Sequence, residues 1–268
     1  MIGPQRALLP DGRLHLQHGP IDLVIDASGA RPEVEKAFGQ ATECFADVLQ
    51  TLVGELPLLR RPVGDTYPHL RGPVARRMAE AVWPYRSVYI TPMAAVAGSV
   101  ADEVLYAMVA GRQLDKAYVN NGGDIAFDLA PGHELRAGIF VDRLDGSVRL
   151  THDKPVRGIA TSGWGGRSFS RGIADAVTVL APNAAAADAA ATIIANQVDV
   201  EHPAIERKPA WTLDPDSDLG DLLVTTGVGR LPPDAIAAAL DRGAAEARRL
   251  QLDAALSLQG AWRLSEAA

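Results

Sequence analysis

Between residues 31 and 52, apolar side chains fall at Val34, Phe38, Ala41, Phe45, Val48, Leu49 and Leu52. Steps of three and four return to one side of a 3.6-residue turn, so this stretch is predicted as one long amphipathic helix. Pro32 suits its first turn, where a missing N–H costs nothing. Before it, "RALLPDGRLHLQHGPIDLVIDA" (6–27) reads as short strands cut by the turn signals Asp11-Gly12 and Gly19-Pro20. A basic, proline-rich connection spans 56–72, and a short helix is expected around 73–82. The segment 92–111 reads as a helix of small residues with Gly111 as its stop. Such a helix lets another backbone, or a ligand, come very close.

Further on, "KAYVNNGGDIAFDL", "ELRAGIFVD" (134–142), "SVRLTH" and "VRGIATSG" have the pattern of sheet strands with tight turns. A strand at 173–182 leads into an alanine-rich helix, 184–197. A polar loop follows at 201–221, and a last helix at 232–250. Strands cluster rather than alternate with helices, which favours an α+β arrangement over a doubly wound parallel sheet. No linker divides the chain, so residues 1–268 are expected to form one domain.

Composition narrows the function classes. The net charge of −7 argues against general nucleic-acid binding, which needs a cationic surface to displace counterions. The single cysteine, Cys44, excludes an intramolecular disulfide and reads as core filling. No charged segment followed by an apolar run opens the chain, and no run approaches the ~18 apolar residues of a membrane span. The expectation is a cytoplasmic protein. His15 and His18, three apart in a strand, point to opposite faces and cannot share a metal; both are expected on the surface. "DPDSDLGD" (214–221) has alternating aspartates, but Leu219 and Thr225 stand where a calcium loop needs Gly and Glu. It is expected to be an acidic surface turn.

Three stretches carry candidate chemistry. "ATSGWGGRSFSRG" (160–172) holds four glycines, four hydroxyl side chains, Arg167 and Arg171 in 13 residues. Glycines let backbone amides approach a phosphate, and arginine binds phosphate in a bidentate way. "VNNGGDI" (119–125) signals a hairpin at Asn121-Gly122, flanked by Asn120 and Asp124. In "AAAADAAATIIANQ" (184–197), Asp188 and Thr192 lie one helical turn apart on one face. Spacing alone leaves them as either a solvent face or part of a site for a hard cation such as Mg²⁺.

Taken together, these motifs resemble the ApbE-type proteins, the FAD:protein FMN transferases. "YVNNGGDIA" is similar to that family's Val-Asn-x-Gly-Gly-Asp-Ile signature. "IADAVTVLAPNAAAADAAAT" is similar to its strand and Ala-Asp-Ala-x-Ala-Thr helix, "ATSG" to its Thr-Ser-Gly loop, and "AAVAGSVAD" (94–102) to its glycine-bearing helix start. The likeness runs over about residues 88–196, and the whole chain looks closer still to a compact, largely uncharacterised branch. It implies an α+β, T-fold-related antiparallel sheet packed by long helices. It also implies Mg²⁺ on Asp188, Thr192 and the carbonyl of Ala97. Asn120, Gly122, Gly123 and Asp124, with Thr161, Ser162 and Gly163, would line a flavin pocket, and Arg167 and Arg171 would meet phosphate. Two places differ from the family pattern. No His-x-x-Asp-Pro segment lies between the Thr-Ser-Gly loop and the metal helix, and Gly98 stands where a lysine is usual.

The expected function is binding of FAD, or a related phosphorylated ring cofactor, with Mg²⁺, coupled to flavin transfer or pyrophosphate cleavage. No catalytic base is assigned. The alternatives are a reductase component for a nitrogen heterocycle, similar to 6-hydroxynicotinate reductase, and a non-catalytic cofactor-binding subunit. The expected partners are a small phosphorylated ligand and either a second copy of the chain or a redox protein.

Overall fold

The computed structural model describes residues 3–140 and 144–267. Its frame is an antiparallel sheet of nine strands. In spatial order these are β1 (Gln5–Leu8), β2 (Leu14–His18), β3 (Ile21–Gly29), β4 (Leu114–Asn121) and β5 (Asp124–Leu129), then β8 (Gly158–Ser162), β9 (Ala176–Ala181), β12 (Asp253–Leu258) and β13 (Ala261–Ser265). The hairpin β6 (Glu134–Phe140) and β7 (Leu144–Thr151) stands apart, as does β10 (Ile205–Pro209) with β11 (Leu223–Val228). The expected strand at 134–142 runs past Phe140, and its last two positions lie outside the described residues.

Six helices accompany the sheet: α1 (Arg31–Phe45), α2 (Val48–Leu59), α3 (Pro73–Val82), α4 (Val96–Val109), α5 (Ala184–Gln197) and α6 (Pro233–Arg249). Alternation in β2 sends Leu14 and Leu16 inward against Phe38, Phe45, Val104 and Met108 of α1 and α4. Across the molecule, Val177, Val179 and Leu256 pack with Ile194, Leu240 and Ala247 of α5 and α6. The β6–β7 hairpin packs Leu135 and Leu150 with Phe127, Leu129 and Ile159 of β5 and β8. The α+β antiparallel architecture expected from the sequence is the one observed.

The two cores meet where α4 crosses α5, and glycine makes the crossing possible. A Cβ on Gly98 would stand 2.2 Å from the backbone oxygen of Ala184, and one on Gly158 would stand 2.0 Å from the carbonyl carbon of Asn183. At the other end of α5, a Cβ on Gly172 would come within 1.9 Å of the Ala195 oxygen. The small residues of 92–111 therefore do serve a close backbone approach. That same stretch is long and apolar enough, from Pro92 to Val109, to match a membrane span by composition. This corrects the expectation that no run comes near one. More than half of it is buried inside the fold, between α1, α5 and the sheet.

Other expectations need adjusting. The helix foreseen through Leu52 is two helices, interrupted at Ala46 and Asp47; the hydrophobic period runs across the break, so sequence pattern reads it as one. His18 is buried, not on the surface. As the fifth residue of β2 it shares the inward face with Leu14 and Leu16, and its ring meets Phe45 edge-on. His15 faces the other way and bonds Asp22 at 3.0 Å. Cys44 is half-buried beside the Glu103 carbonyl, and burial pushes its thiol up to about 11, consistent with packing rather than nucleophilic work.

Candidate active site at the crossing of two helices

The β4–β5 hairpin turns through Gly122 and Gly123, both at positive φ, between the paired residues Asn121 and Asp124. Only glycine adopts two such conformations in succession at little cost. The Asn120 side chain accepts a hydrogen bond from the Gly123 N–H at 2.8 Å and locks the turn. This geometry sets Asp124 at the head of β5, buried at 8% exposure, where its carboxylate accepts from the Thr161 N–H at 3.2 Å.

Asp188 comes from the second turn of α5. Its carboxylate accepts the Gly98 N–H at 3.0 Å, and the Ala97 N–H also faces it. It is ringed by protein yet keeps some accessible surface, as the floor of a crevice would. The Asp188 and Asp124 carboxyls are neighbours close enough to act on each other. Burial pushes Asp124 up to about 7 against the pull of the Thr161 amide. Burial first, and then the neighbouring Asp124 charge, hold Asp188 well above the usual carboxylate range. Among the described residues, neither acid is paired with a lysine or arginine.

Around this pair stand most of the residues singled out from the sequence. Thr192 follows Asp188 by one turn of α5 and is half-buried. The Ala97 carbonyl, in the first turn of α4, accepts from Asn121 Nδ2 at 3.1 Å. Thr161 is exposed and shares a 2.9 Å hydroxyl contact with Thr178. Half-buried Ser162 precedes Gly163, where a Cβ would stand 2.3 Å from the Asp175 oxygen. Arg167 reaches back over the glycine turn, donating to the Pro20 carbonyl at 3.1 Å. Its guanidinium lies 3.2 Å from where a Cβ on Gly122 would be.

Arg171 is placed elsewhere. Its N–H donates to Asn196 at the far end of α5, and its side chain lines a separate cavity there. The acidic turn also has an internal role. Asp214 and Asp216 are exposed, but the Asp218 carboxylate takes the Thr91 hydroxyl and its carbonyl takes Tyr89 Oη.

The model of the family described as "AbpE bacteria" matches residues 6–264. The chain belongs to this family. Among curated relatives, a UPF0280 protein of Methanopyrus kandleri is 32% identical over 170 residues, 60% of this chain and 66% of that one. A UPF0280 protein of Methanosphaerula palustris is 40% identical over 141 residues, 50% of this chain and 56% of that one. The match thus spans between about half and two thirds of these relatives' length. The crystal structure of the ApbE protein from Thermotoga maritima aligns over 98% of this chain and 97% of its own, with a TM-score of 0.52 at 12% identity. That likeness is one of fold.

Within this AbpE-type fold, two contributions escape the sequence pattern. Motif order groups Asp124 with the ring pocket, whereas it lies against the carboxylate of the α5 helix. Asp102 is not singled out at all. It is buried on α4, and its two oxygens accept the Ala184 and Ala185 N–H groups at 3.0 and 2.8 Å. The available signal is the acid closing "AAVAGSVAD", an odd residue to end a run that is otherwise small and apolar.

Proposed function

We propose that the protein binds FAD with Mg²⁺ at the α4–α5 crossing and acts on the dinucleotide's phosphate linkage. The observation that carries this reading is the Asp124–Asp188 pair. Two neighbouring buried carboxyls resist ionising together unless a cation offsets their charge, and no side-chain cation among the described residues is paired with them. The candidate ligands are two carboxylates, the Thr192 hydroxyl and the Ala97 carbonyl, which Asn121 also meets. They are all hard oxygens and suit Mg²⁺, which takes few protein ligands and completes its shell with water and phosphate. Such an ion supplies Lewis-acid polarisation of a phosphoryl oxygen.

The chain's own residues have separate tasks. The Gly98 and Ala97 amides fix the Asp188 carboxylate, and the Thr161 amide fixes Asp124. The exposed Gly122–Gly123 turn gives a ligand close access to backbone, while Arg167 above it offers a bidentate donor to phosphate. Membership of an ApbE-type family and the motif resemblance favour FAD over other dinucleotides.

The reading is tested by calorimetry of FAD binding with and without Mg²⁺, together with chromatography of the products. The expected result is Mg²⁺-dependent binding, weakened at least about tenfold by Asp188→Ala, with release of AMP and of FMN, free or attached to an acceptor. Binding that ignores both Mg²⁺ and Asp188→Ala would overturn it. Bound flavin that is reduced and reoxidised without AMP release would favour the redox-component reading instead.

A further inference from the structure

The face of α5 that carries Asp188 and Thr192 continues to Asn196, four residues further on and likewise half-buried. Three polar side chains therefore stand in line over two turns of a helix that is otherwise apolar up to its last residue, Gln197. At the end of this line lies a cavity of about 270 Å³ lined by Arg171, Asn196, Gln197, Asp199, Arg207 and Leu223. Asp188 and Asn196 are eight residues apart, which is ~12 Å along a helix axis. The cavity is thus distinct from the carboxylate pair.

Its walls are held in place from behind. The Arg171 N–H donates to Asn196 Oδ1 at 2.9 Å, the Ser170 carbonyl accepts from the Thr225 N–H at 2.8 Å, and Gly172 is pressed against Ala195. The backbone on both sides of Arg171 is fixed, while its exposed guanidinium meets no partner among the described residues. Because Asn196 Oδ1 serves the Arg171 N–H, its Nδ2 group is turned the other way, without an acceptor among the described residues. The one acid on the wall, Asp199, is engaged by Arg207 and by the Val200 N–H at 2.9 Å. The lining thus combines Arg171, which has no ion-pair partner among the described residues, the carboxamides of Asn196 and Gln197, the Asp199–Arg207 pair and exposed Leu223.

We propose that this cavity is a second anion subsite, with Arg171 as the main contact and Asn196 Nδ2 beside it. It takes a phosphate or carboxylate whose carbon body lies against Leu223. The subsite needs no metal. It rests on the function proposed above in one respect: a ligand held at the carboxylate pair reaches it by carrying a second anionic group ~12 Å away.

The test is an amide-resolved NMR titration of the full chain in EDTA, with inorganic phosphate and malonate as separate probes. Phosphate or malonate is expected to shift the amides of Arg171, Asn196 and Gln197. Arg171→Gln is expected to weaken that response about tenfold, and Arg171→Glu to remove it, while Asp188→Asn leaves it unchanged. A stronger response to phosphate identifies a phosphoryl ligand, and one to malonate a carboxylate. Silent amides, or an equal response in Arg171→Glu, overturn the proposal. If phosphate moves these amides but Mg²⁺-FAD never binds, the subsite stands and the flavin reading fails. If Mg²⁺-FAD binds while the amides stay silent, the flavin reading stands and the subsite fails.

Discussion

The carboxylates of Asp102 and Asp188 are exchanged between α4 and α5. Asp102, on α4, accepts the first two N–H groups of α5, from Ala184 and Ala185. Asp188, on α5, accepts the Gly98 N–H in the first turn of α4. Each therefore sits at the positive end of the other's helix. Burial raises both from the ordinary aspartate value, Asp188 well above it. They differ in what lies beside them: each takes two backbone amides, but Asp188 has a second carboxyl against it, whereas Asp102 has the Arg77 charge within reach. One acid caps a helix and the other faces a second acid. The same packing device yields a helix cap on one side and a buried acid pair on the other, according to what lies beyond it.

The largest expected effect comes from breaking the crossing that both acids share. In Gly98→Val the new side chain meets Ala184 backbone, which cannot rotate away, so the helices must separate. A loss of about 3 kcal/mol or more is expected, read as a large fall in the urea midpoint or as insoluble protein. A loss under about 1 kcal/mol would show that the crossing slides easily, and the comparison would lose its basis. Next comes Asp102→Ala, which strands two N–H groups inside the fold. A cost of about 2–4 kcal/mol is expected, the same with and without Mg²⁺. A Mg²⁺-dependent cost would place Asp102 with the metal rather than with the helix end.

How much of this is legible in the sequence depends on the range of each interaction. The α5 helix, the glycine turn and the strand before the helix are local patterns, and they stand where the sequence places them. The Asp102 cap joins residues 82 apart and leaves only an unusual acid as a trace. The β10–β11 hairpin reads as polar loop because Glu206, Arg207 and Lys208 give it no apolar alternation. The β12–β13 hairpin is hidden because β12 is buried on both faces and built largely of alanine and leucine, which carry no strand signal. Arg167 and Arg171 look like partners in one loop, yet the chain pivots at buried Ser170 and Gly172 and sends them to different ends of α5.

The third prediction reads the Asp124–Asp188 pair by pH. Asp124 rises from 3.8 to about 7 on folding and Asp188 also rises, so the folded state holds protons that the unfolded state has released. Stability from this source is complete below the ordinary carboxylate range and is lost as pH climbs through about 7. Without metal, a loss on the order of 2 kcal/mol is expected between about pH 5 and 8. Mg²⁺ should restore it. In Asp188→Asn the slope should lessen to the share left by Asp124, which burial still raises, and the Mg²⁺ effect vanish, which urea titrations at a series of pH values will read. A wild-type curve that rises over this range would remove the case for an unanswered charge.

The smallest effect tests whether the α5 end is as fully satisfied as the comparison requires. Besides the two amides taken by Asp102, the Asn183 side chain accepts the Ala186 N–H at 2.8 Å. Three successive donors at the head of α5 thus have partners, and Asn183 serves the outermost, partly solvated one. In Asn183→Ala, water can replace the lost acceptor, so a cost of about 1 kcal/mol is expected, smaller than that of Asp102→Ala. Mg²⁺ binding, measured by calorimetry, should not change, because Asp188 lies a turn further along and takes its amides from α4. A cost equal to that of Asp102→Ala would mean that the helix end responds as one unit. A fall in Mg²⁺ affinity would mean that the position of α5, more than the unmatched carboxyl, governs the metal. Either result would move the boundary between the helix cap and the acid pair from their ligands to the helix that carries them.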